Sequence, residues 1–172
     1  MEIKSNKFTL RPWRMSDVEA LARNANNIEI WNNMRDGFPY PYTEEDARTY
    51  IGMVAEVDPP TNFTIEIDGE AAGGIGFVPQ TDVEQFSAEM GYWLAEPYWG
   101  KGITSEAVKC LVEFVWTTTP IVRLYAGAFG FNDASQKVLE KAGFRRVGVL
   151  KKSAYKNGKF IDKALYEIVK EE

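Results

Sequence analysis

The stretch Glu89–Trp116, EMGYWLAEPYWGKGITSEAVKCLVEFVW, holds the residues that decide the fold. It begins with strand-like alternation, passes through a tight loop containing Gly100 and Gly102, and ends with helical spacing over 104–116. Glycines directly before a helix let backbone N–H groups approach a ligand, and the helix N-terminus adds unsatisfied donors and a positive dipole end. The loop therefore predicts an anion site suited to a pyrophosphate, where Lys101 either adds charge or is simply solvated.

Two common phosphate-binding loops do not match this stretch. The Walker A pattern, G-x-x-x-x-G-K-[ST], is absent from the chain. The dinucleotide fingerprint G-x-G-x-x-G would need a third glycine where Ser105 stands, and an acidic residue ending the next strand. A nucleotide-dependent oxidoreductase is therefore disfavoured. The glycines could also serve turn geometry alone, which leaves a strand-to-helix connection as the alternative.

Working outward, apolar periodicity and turn signals predict the order β-α-α-β-β-β-α-β-α-β-β. The predicted strands cover residues 7–12, 62–67, 70–78, 86–94, 121–129, 144–155 and 160–169. The predicted helices begin at an N-cap Ser16, at Thr43, at Thr104 and at Asp133, and residues 31–42 are predicted to be a loop. Asp68-Gly69 and Asn157-Gly158 predict hairpin turns. This order predicts an α+β fold: one domain over residues 1–172 with a mixed, mostly antiparallel central sheet of about seven strands and helices on both faces.

Composition excludes several function classes. The 172 residues carry a formal net charge of -5, which disfavours nucleic-acid binding, and no apolar run is long enough for a transmembrane helix. No histidine is present, which removes histidine-based triads and the usual zinc sites, so no metal is expected. One cysteine and no secretory signal indicate a reducing compartment. We therefore expect a cytoplasmic protein that binds neither nucleic acid nor membrane.

Four segments carry a family resemblance. They are FTLRPWRMSDVEAL from Phe8, GGIGF from Gly73, AEMGYWLAEPYWGKGITSEAV from Ala88 and FNDASQKVLEKAGFRRVG from Phe131, followed by the Tyr-x-Asn-Gly hairpin at Tyr155. In this order and spacing the chain resembles the GNAT family of acyl-CoA-dependent N-acetyltransferases, especially the branch of ribosomal-protein alanine N-terminal acetyltransferases. The resemblance implies a GNAT-type sheet, and acetyl-CoA as the co-substrate.

The resemblance also implies a set of coenzyme residues. The family's pyrophosphate motif, [Q/R]-x-x-G-x-[G/A], falls on Trp99–Thr104, with Trp99 in place of Gln or Arg and Thr104 in place of Gly or Ala. Asn132 is implied to contact the pantetheine arm and Ser135 to lie near the thiol, although both could simply cap a helix. The full set of expected coenzyme residues is Tyr92, Trp93, Leu94, Trp99, Gly100, Lys101, Gly102, Ile103, Thr104, Asn132 and Ser135.

Acetyl transfer to an amine requires that a proton be removed, and carboxylates and hydroxyls must do this work in a chain without histidine. Glu89, on the strand that leads into the loop, is the candidate base, and a half-solvated surface glutamate is the alternative. Ser135 is the candidate acid for the thiolate. The resemblance implies that backbone N–H groups near Trp93 or Leu94 stabilise the oxyanion. Related sequences have a carboxylate just before the hairpin, where this chain has Ala154.

The acceptor side is predicted from aromatic residues. Trp31 and Tyr40, with Glu89, could bind a cationic amine, because aromatic walls hold cations well; ordinary packing is the alternative. The acceptor is expected to be either a protein N-terminus or a small amine, and the protein a monomer or homodimer. A non-catalytic coenzyme-A-binding or sensor module is the competing function. Cys110 is expected to be a small buried residue rather than an acetyl carrier, so that Cys110→Ala keeps most activity.

Overall fold

The computed structural model describes residues 2–171. Over these residues the chain forms eight β-strands and five α-helices. The strands are β1 (Ile3–Lys4), β2 (Thr9–Pro12), β3 (Asn62–Ile67), β4 (Glu70–Pro79), β5 (Ser87–Leu94), β6 (Arg123–Phe129), β7 (Arg145–Lys156) and β8 (Lys159–Val169). The helices are α1 (Val18–Ala25), α2 (Ile28–Asn32), α3 (Glu44–Val54), α4 (Ile103–Thr118) and α5 (Asp133–Lys141).

The strands form one sheet in the order β1-β2-β3-β4-β5-β6-β8-β7. Strand β5 runs parallel to β6, with Ser87–Glu89 opposite Arg123–Tyr125, whereas β1–β2, β2–β3, β3–β4, β6–β8 and β7–β8 are antiparallel. The predicted α+β fold with a mixed, mostly antiparallel sheet is confirmed. The expected strand number, about seven, is too low because β1 was missed. Its two residues are too few to show an alternating pattern.

Contacts divide the chain into two compact units, Met1–Gly76 with Tyr92–Ala107, and Phe77–Gly91 with Val108–Glu172. The single domain over residues 1–172 stays a prediction.

In the first unit, α1 packs against α3. The stripe predicted from helical spacing is buried, as are apolar residues from α3 and the flanking loops. This core contains Trp13, Val18, Leu21, Ala22, Ala25, Tyr42, Ala47, Ile51 and Ala71. Helix α3 begins after Thr43, as predicted, because the Thr43 side chain accepts the N–H of Asp46 while Asp46 accepts the N–H of Thr43.

In the second unit, β6 forms within the strand predicted over 121–129, and its alternate residues Leu124, Ala126 and Ala128 are buried. The hairpin between β7 and β8 turns at Asn157 and Gly158, whose φ angles of +51° and +75° are those that a type I′ turn requires.

Ser16 is not a helix N-cap, and this prediction is wrong. Met15–Asp17 form a 3-10 turn, and α1 begins only at Val18. The carboxylate of Asp17 accepts the N–H of Arg14 at 2.9 Å, so an aspartate one residue further on supplies the polar group for this turn.

Two other local predictions differ from the structure. The predicted loop over 31–42 begins too early, because α2 forms over Ile28–Asn32 with its first turn capped by Asn27, which accepts the N–H of Glu29 at 2.8 Å. Phe86, the first residue of the strand predicted over 86–94, lies just before β5 and is 50% exposed. Both errors concern the ends of elements, where periodicity is weakest.

Candidate active site

A sharp turn joins β5 to α4 in the first unit. Directly after β5, Ala95 donates its N–H to the carbonyl of Ala72 at 2.8 Å, which ties the turn to β4. Gly100 and Gly102 both have positive φ, at +74° and +75°. Residues with side chains rarely adopt this conformation, so the two glycines allow the chain to reverse before Ile103 begins the helix.

The first turn of α4 presents backbone donors. The first hydrogen bond into the helix runs from the N–H of Glu106 to the carbonyl of Gly102, at 3.2 Å. The N–H groups of Ile103, Thr104 and Ser105 precede that bond and have no acceptor within the helix. With the positive end of the helix dipole, these groups can hold an anionic ligand.

Two side chains of the turn are engaged by their own neighbours. The Trp99 indole donates to the carbonyl of Leu94 at 2.6 Å, while 44% of the residue stays exposed. The ammonium of Lys101 lies 5.4 Å from the centre of the Tyr98 ring, within the range of a cation–π contact. Trp99 therefore closes the turn onto the end of β5, and Lys101 directs its charge toward a neighbouring ring.

Trp93 is fixed from two sides. Its ring meets Phe38 edge-on, with ring centroids 6.0 Å apart. A β-carbon on Gly74 would come within 2.6 Å of the Trp93 Nε1 atom, so only glycine at this position permits the approach. Tyr92 is half-buried beside it and Leu94 is buried. The backbone at Trp93 and Leu94, whose N–H groups are predicted to stabilise the oxyanion, is therefore held by close packing.

The predicted acceptor aromatics form a pair in the first unit. Trp31 in α2 and Tyr40 in the following loop have ring centroids 6.1 Å apart at an interplanar angle of 37°. Trp31 is half-buried, whereas 46% of Tyr40 is exposed. Phe38 links Tyr42 to Trp93, with the Phe38 and Tyr42 centroids 5.0 Å apart. Trp31 and Tyr40, the acceptor candidates, thus lie in the same unit as the turn between β5 and α4.

Glu89 belongs to the second unit. It is half-buried in β5, and its partner in the parallel pairing with β6 is Tyr125. Burial raises the pKa of the Tyr125 hydroxyl, and the negative charges of Glu89 and Glu84 raise it further. The Glu89 carboxylate therefore acts electrostatically on a neighbouring hydroxyl, and its half-buried position leaves it in reach of water.

Asn132 caps α5, also in the second unit. Its side chain accepts the N–H of Ser135 at 3.1 Å, and Ser135 is half-buried in the first turn. The capping alternative is therefore seen in the structure. Capping uses the Oδ1 atom, however, and an asparagine amide group also carries two N–H donors that could bind a pantetheine carbonyl. The two roles use different atoms and are compatible.

Cys110 is half-buried in α4, not fully buried as its apolar neighbours predicted. Among residues 2–171, no group of three or more His, Cys, Asp or Glu is placed to hold a metal ion. Within the same residues no helix combines the length and the apolar character needed to cross a membrane.

Sequence reasoning did not single out Lys7. Its ammonium lies 3.1 Å from the Glu106 carboxylate of α4 and 3.9 Å from the position of a β-carbon on Gly102. A contact between such distant parts of the chain leaves no local pattern. The signal that could have indicated it was Glu106 itself, an acidic residue in the first helical turn after a predicted anion loop.

A glycine turn that leads from a strand of the sheet into a helix N-terminus is an arrangement suited to an anionic ligand. The family profile described as "Acetyltransferase (GNAT) domain" matches residues 7–145, which is most of the chain. The chain therefore belongs to the GNAT acetyltransferase family, and it is an N-acetyltransferase that uses acetyl-CoA.

Known proteins support this membership. The probable N-acetyltransferase YjcK of Bacillus subtilis (strain 168) is 35% identical over 180 residues, and the match covers 97% of this chain and 96% of the YjcK chain. The spermidine N(1)-acetyltransferase of Escherichia coli (strain K12) is 27% identical over 158 residues, covering 91% of this chain and 82% of its own. The solved structure of RimL, a ribosomal L7/L12 alpha-N-protein acetyltransferase in complex with coenzyme A, has a TM-score of 0.87 at 24% identity, covering 99% of this chain and 98% of its own. The structural neighbours of this chain thus include ribosomal-protein N-acetyltransferases.

Proposed function

We propose that the protein transfers the acetyl group of acetyl-CoA to a primary amine by direct attack within a ternary complex. The observation that carries this proposal is the turn at Gly100 and Gly102, with its positive φ angles directly before α4. A diphosphate suits such a site, because several N–H groups and the helix dipole act on it together. The loop Trp99–Thr104 would hold the diphosphate of the coenzyme.

In this reaction the amine nitrogen forms a bond to the acetyl carbonyl carbon, the carbon–sulfur bond breaks, and the coenzyme leaves as a thiolate. One proton leaves the nitrogen and one is returned to the sulfur, giving an N-acetyl amine and the free thiol. The carbonyl oxygen gains negative charge, which backbone N–H groups near Trp93 or Leu94 would stabilise. The packing of Trp93 against Phe38 and Gly74 supports this role, because preorganised donors need no rearrangement during the reaction.

Proton transfer falls to Glu89 and Ser135 in the proposal. An amine is mostly protonated at neutral pH, so it must lose a proton before or during attack. Glu89 is half-buried and in reach of water, which supports a role as base through a water relay. Ser135, in the first turn of α5, would protonate the departing thiolate, with the Asn132 amide on the pantetheine arm. A thiolate is already a fair leaving group, so we expect Ser135 to contribute less than Glu89.

The acceptor is proposed to be a cationic primary amine, either a protein N-terminus or a small amine. The Trp31 and Tyr40 pair supports this, because an aromatic pair with one exposed face can hold an ammonium group. Two of the three similar proteins named above represent the two classes, since one is a spermidine N(1)-acetyltransferase and the other a ribosomal L7/L12 alpha-N-protein acetyltransferase.

The test is thiol release from acetyl-CoA by the purified protein, with peptides bearing free N-termini and small polyamines as two acceptor panels. We expect release above background with at least one panel, and an acetylated product by mass spectrometry. Tight binding of acetyl-CoA without turnover across both panels would instead identify the non-catalytic coenzyme-binding module.

The role of Glu89 is tested by Glu89→Gln, which keeps the shape of the side chain and removes its charge. We expect kcat to fall by about a hundredfold, the lower range for loss of a general base, with little change in KM for acetyl-CoA. Glu84→Gln is the matched control, because Glu84 also acts on Tyr125 but lies exposed, outside β5. Equal activity of the Glu89→Gln and wild-type proteins would remove Glu89 from the mechanism.

A further inference from the structure

The N-terminal hairpin brings two side chains to the first turn of α4. Strands β1 and β2 are joined by a tight turn closed by the N–H of Ser5 donating to the carbonyl of Phe8 at 2.9 Å. From this turn the Ser5 hydroxyl donates to Glu106 Oε1, and the Lys7 ammonium lies 3.1 Å from Glu106 Oε2. The Glu106 carboxylate therefore contacts both the Ser5 and the Lys7 side chains.

This arrangement places a cation beside the diphosphate loop. The Lys7 Nζ atom is 3.9 Å from where a β-carbon on Gly102 would lie, and Gly102 is the last residue before α4. The Lys7 side chain is 44% exposed, so protein does not seal its ammonium. An ammonium group has three N–H donors, and one contact with Glu106 leaves others for a ligand.

The Lys7 ammonium offsets a negative charge at the start of α4. Glu106 puts a negative charge in the first turn of α4, at the end of the helix that is to receive an anion. Uncompensated, that charge would repel a diphosphate. Lys7 offsets that charge, so the ion pair carries no net charge, and its ammonium still presents N–H donors beside the loop. Lys101, the lysine within the loop, lies instead over the ring of Tyr98.

We propose that Lys7 is a coenzyme-binding residue whose ammonium, held in place by Glu106, donates to the diphosphate gripped by the loop Gly100–Thr104. The inference rests on the proposed function of that loop. It adds to the site a residue of the N-terminal hairpin, which is far from the loop in sequence.

Calorimetry with three ligands tests the inference: coenzyme A, its form lacking the 3′-phosphate, and pantetheine, which has no diphosphate. Lys7→Met should weaken binding of both diphosphate ligands by the same factor, about three- to fivefold at low salt, as for an exposed charge pair. Binding of pantetheine should not change. The loss should shrink at about 0.5 M salt, where exposed charges are screened. Lys7→Arg should restore affinity, and Lys4→Met, the matched control on the same hairpin, where Lys4 pairs with Glu2, should leave the affinity for all three ligands close to the wild-type values.

A second background separates ligand binding from hairpin stability. In Glu106→Gln protein the ion pair is gone, so a purely structural Lys7 would no longer matter. We expect Lys7→Met to weaken coenzyme A binding in this background as well, by a smaller factor because Glu106 no longer holds the ammonium in place.

Three outcomes would overturn the inference. Unchanged coenzyme A affinity in Lys7→Met protein would leave the proposed function standing and remove Lys7 from the site. Equal losses for pantetheine and coenzyme A would show a structural effect. Failure of the wild-type protein to bind coenzyme A at all would instead refute the loop assignment itself.

Discussion

Gly102 is defined by its backbone rather than by its surroundings. Its φ is +75°, while among residues 2–171, its two chain neighbours aside, an added β-carbon would meet within 4 Å only the flexible end of Lys7, at 3.9 Å. We predict that Gly102→Ala costs about 1–2 kcal/mol of folding free energy, the usual penalty of the left-handed conformation. Displacement of the turn should also raise KM for acetyl-CoA. Urea unfolding and steady-state kinetics measure the two effects.

Gly37→Ala is the control for this substitution. Gly37 also has open space around its β-carbon position, but it has no positive φ. Its replacement should leave stability and KM close to the wild-type values. A Gly102→Ala protein that matched Gly37→Ala in both measurements would contradict the assigned role of the turn.

Arg11 is a buried cation with two carboxylate partners. It is 3% exposed and donates to both oxygens of Asp17, each at 2.8 Å, and to Glu66. These hydrogen bonds raise the pKa of Arg11 above its ordinary value, so it stays charged at every accessible pH. We predict that Arg11→Met destabilises the fold by about 3–5 kcal/mol, because Asp17 is left as a buried charge without its partner.

Chemical unfolding of Arg11→Met is compared with Arg23→Met. Arg23 lies 2.7 Å from Glu70, but both side chains are substantially exposed, and such a pair contributes about 0–1 kcal/mol. Similar losses in the two variants would show that burial of the Arg11 cluster has no energetic consequence.

At the scale of elements, α3 contains a residue that weakens it. Gly52 lies inside the helix, is exposed, and has nothing within 4 Å of its β-carbon position. We predict that Gly52→Ala stabilises the protein by about 0.5–1 kcal/mol, because alanine loses less conformational entropy in a helix. Thermal unfolding should show a higher Tm. Thr43→Ala, which removes the capping hydroxyl of the same helix, should lower the free energy of unfolding by about 1 kcal/mol and so lower Tm. A shift of Tm in the same direction in both variants would contradict this account.

Three strands of the second unit are joined through one carboxylate. Glu167 of β8 accepts from Arg123 of β6 at 2.9 Å and from Arg145 of β7 at 2.7 Å. These two bonds hold the pKa of Glu167 below its ordinary value of 4.5. A lowered pKa in the folded state means that the stabilisation is present above about pH 4.5 and is lost as the pH falls through the folded-state value.

Comparing Glu167→Gln with the wild-type protein checks this. We predict that the variant is less stable at pH 7, and that the difference in unfolding free energy narrows steadily below about pH 4.5. Glu171→Gln is the control, since Glu171 is exposed near the end of the chain. A stability difference independent of pH would show that the ionisation of Glu167 does not account for the loss of stability.

For the whole molecule, local patterns predicted most of the fold. The buried stripe of α1, the capped start of α3 and the turn at Asn157-Gly158 all rest on residues close in sequence, and each is confirmed. The two-residue β1 and the single-turn α2 were missed because both are too short to show a period. They form because neighbouring elements hold them.

The candidate site divides in the same way. Gly100 and Gly102 were identified from sequence because a turn before a helix is a local feature. The contact of Trp93 with Phe38 and the position of Lys7 beside Gly102 depend on pairing between distant segments. The roles of Glu89 and Ser135 stay predictions, since they concern bound ligands.

The absence of histidine from the entire chain shapes the expected pH dependence of catalysis. Histidine is the only side chain that ordinarily titrates between pH 5 and 8, so near neutrality the ionisation that controls the rate should belong to the acceptor. We predict that kcat/KM rises about tenfold per pH unit and levels off near the pKa of the amine, about 8 for a peptide N-terminus and about 10.4 for a lysine-type amine. Rates from about pH 6 to about pH 11.5, with two peptides that differ only in which amine is blocked, measure this. Two profiles that level off at the same pH would assign the controlling ionisation to the enzyme and contradict its assignment to the acceptor amine.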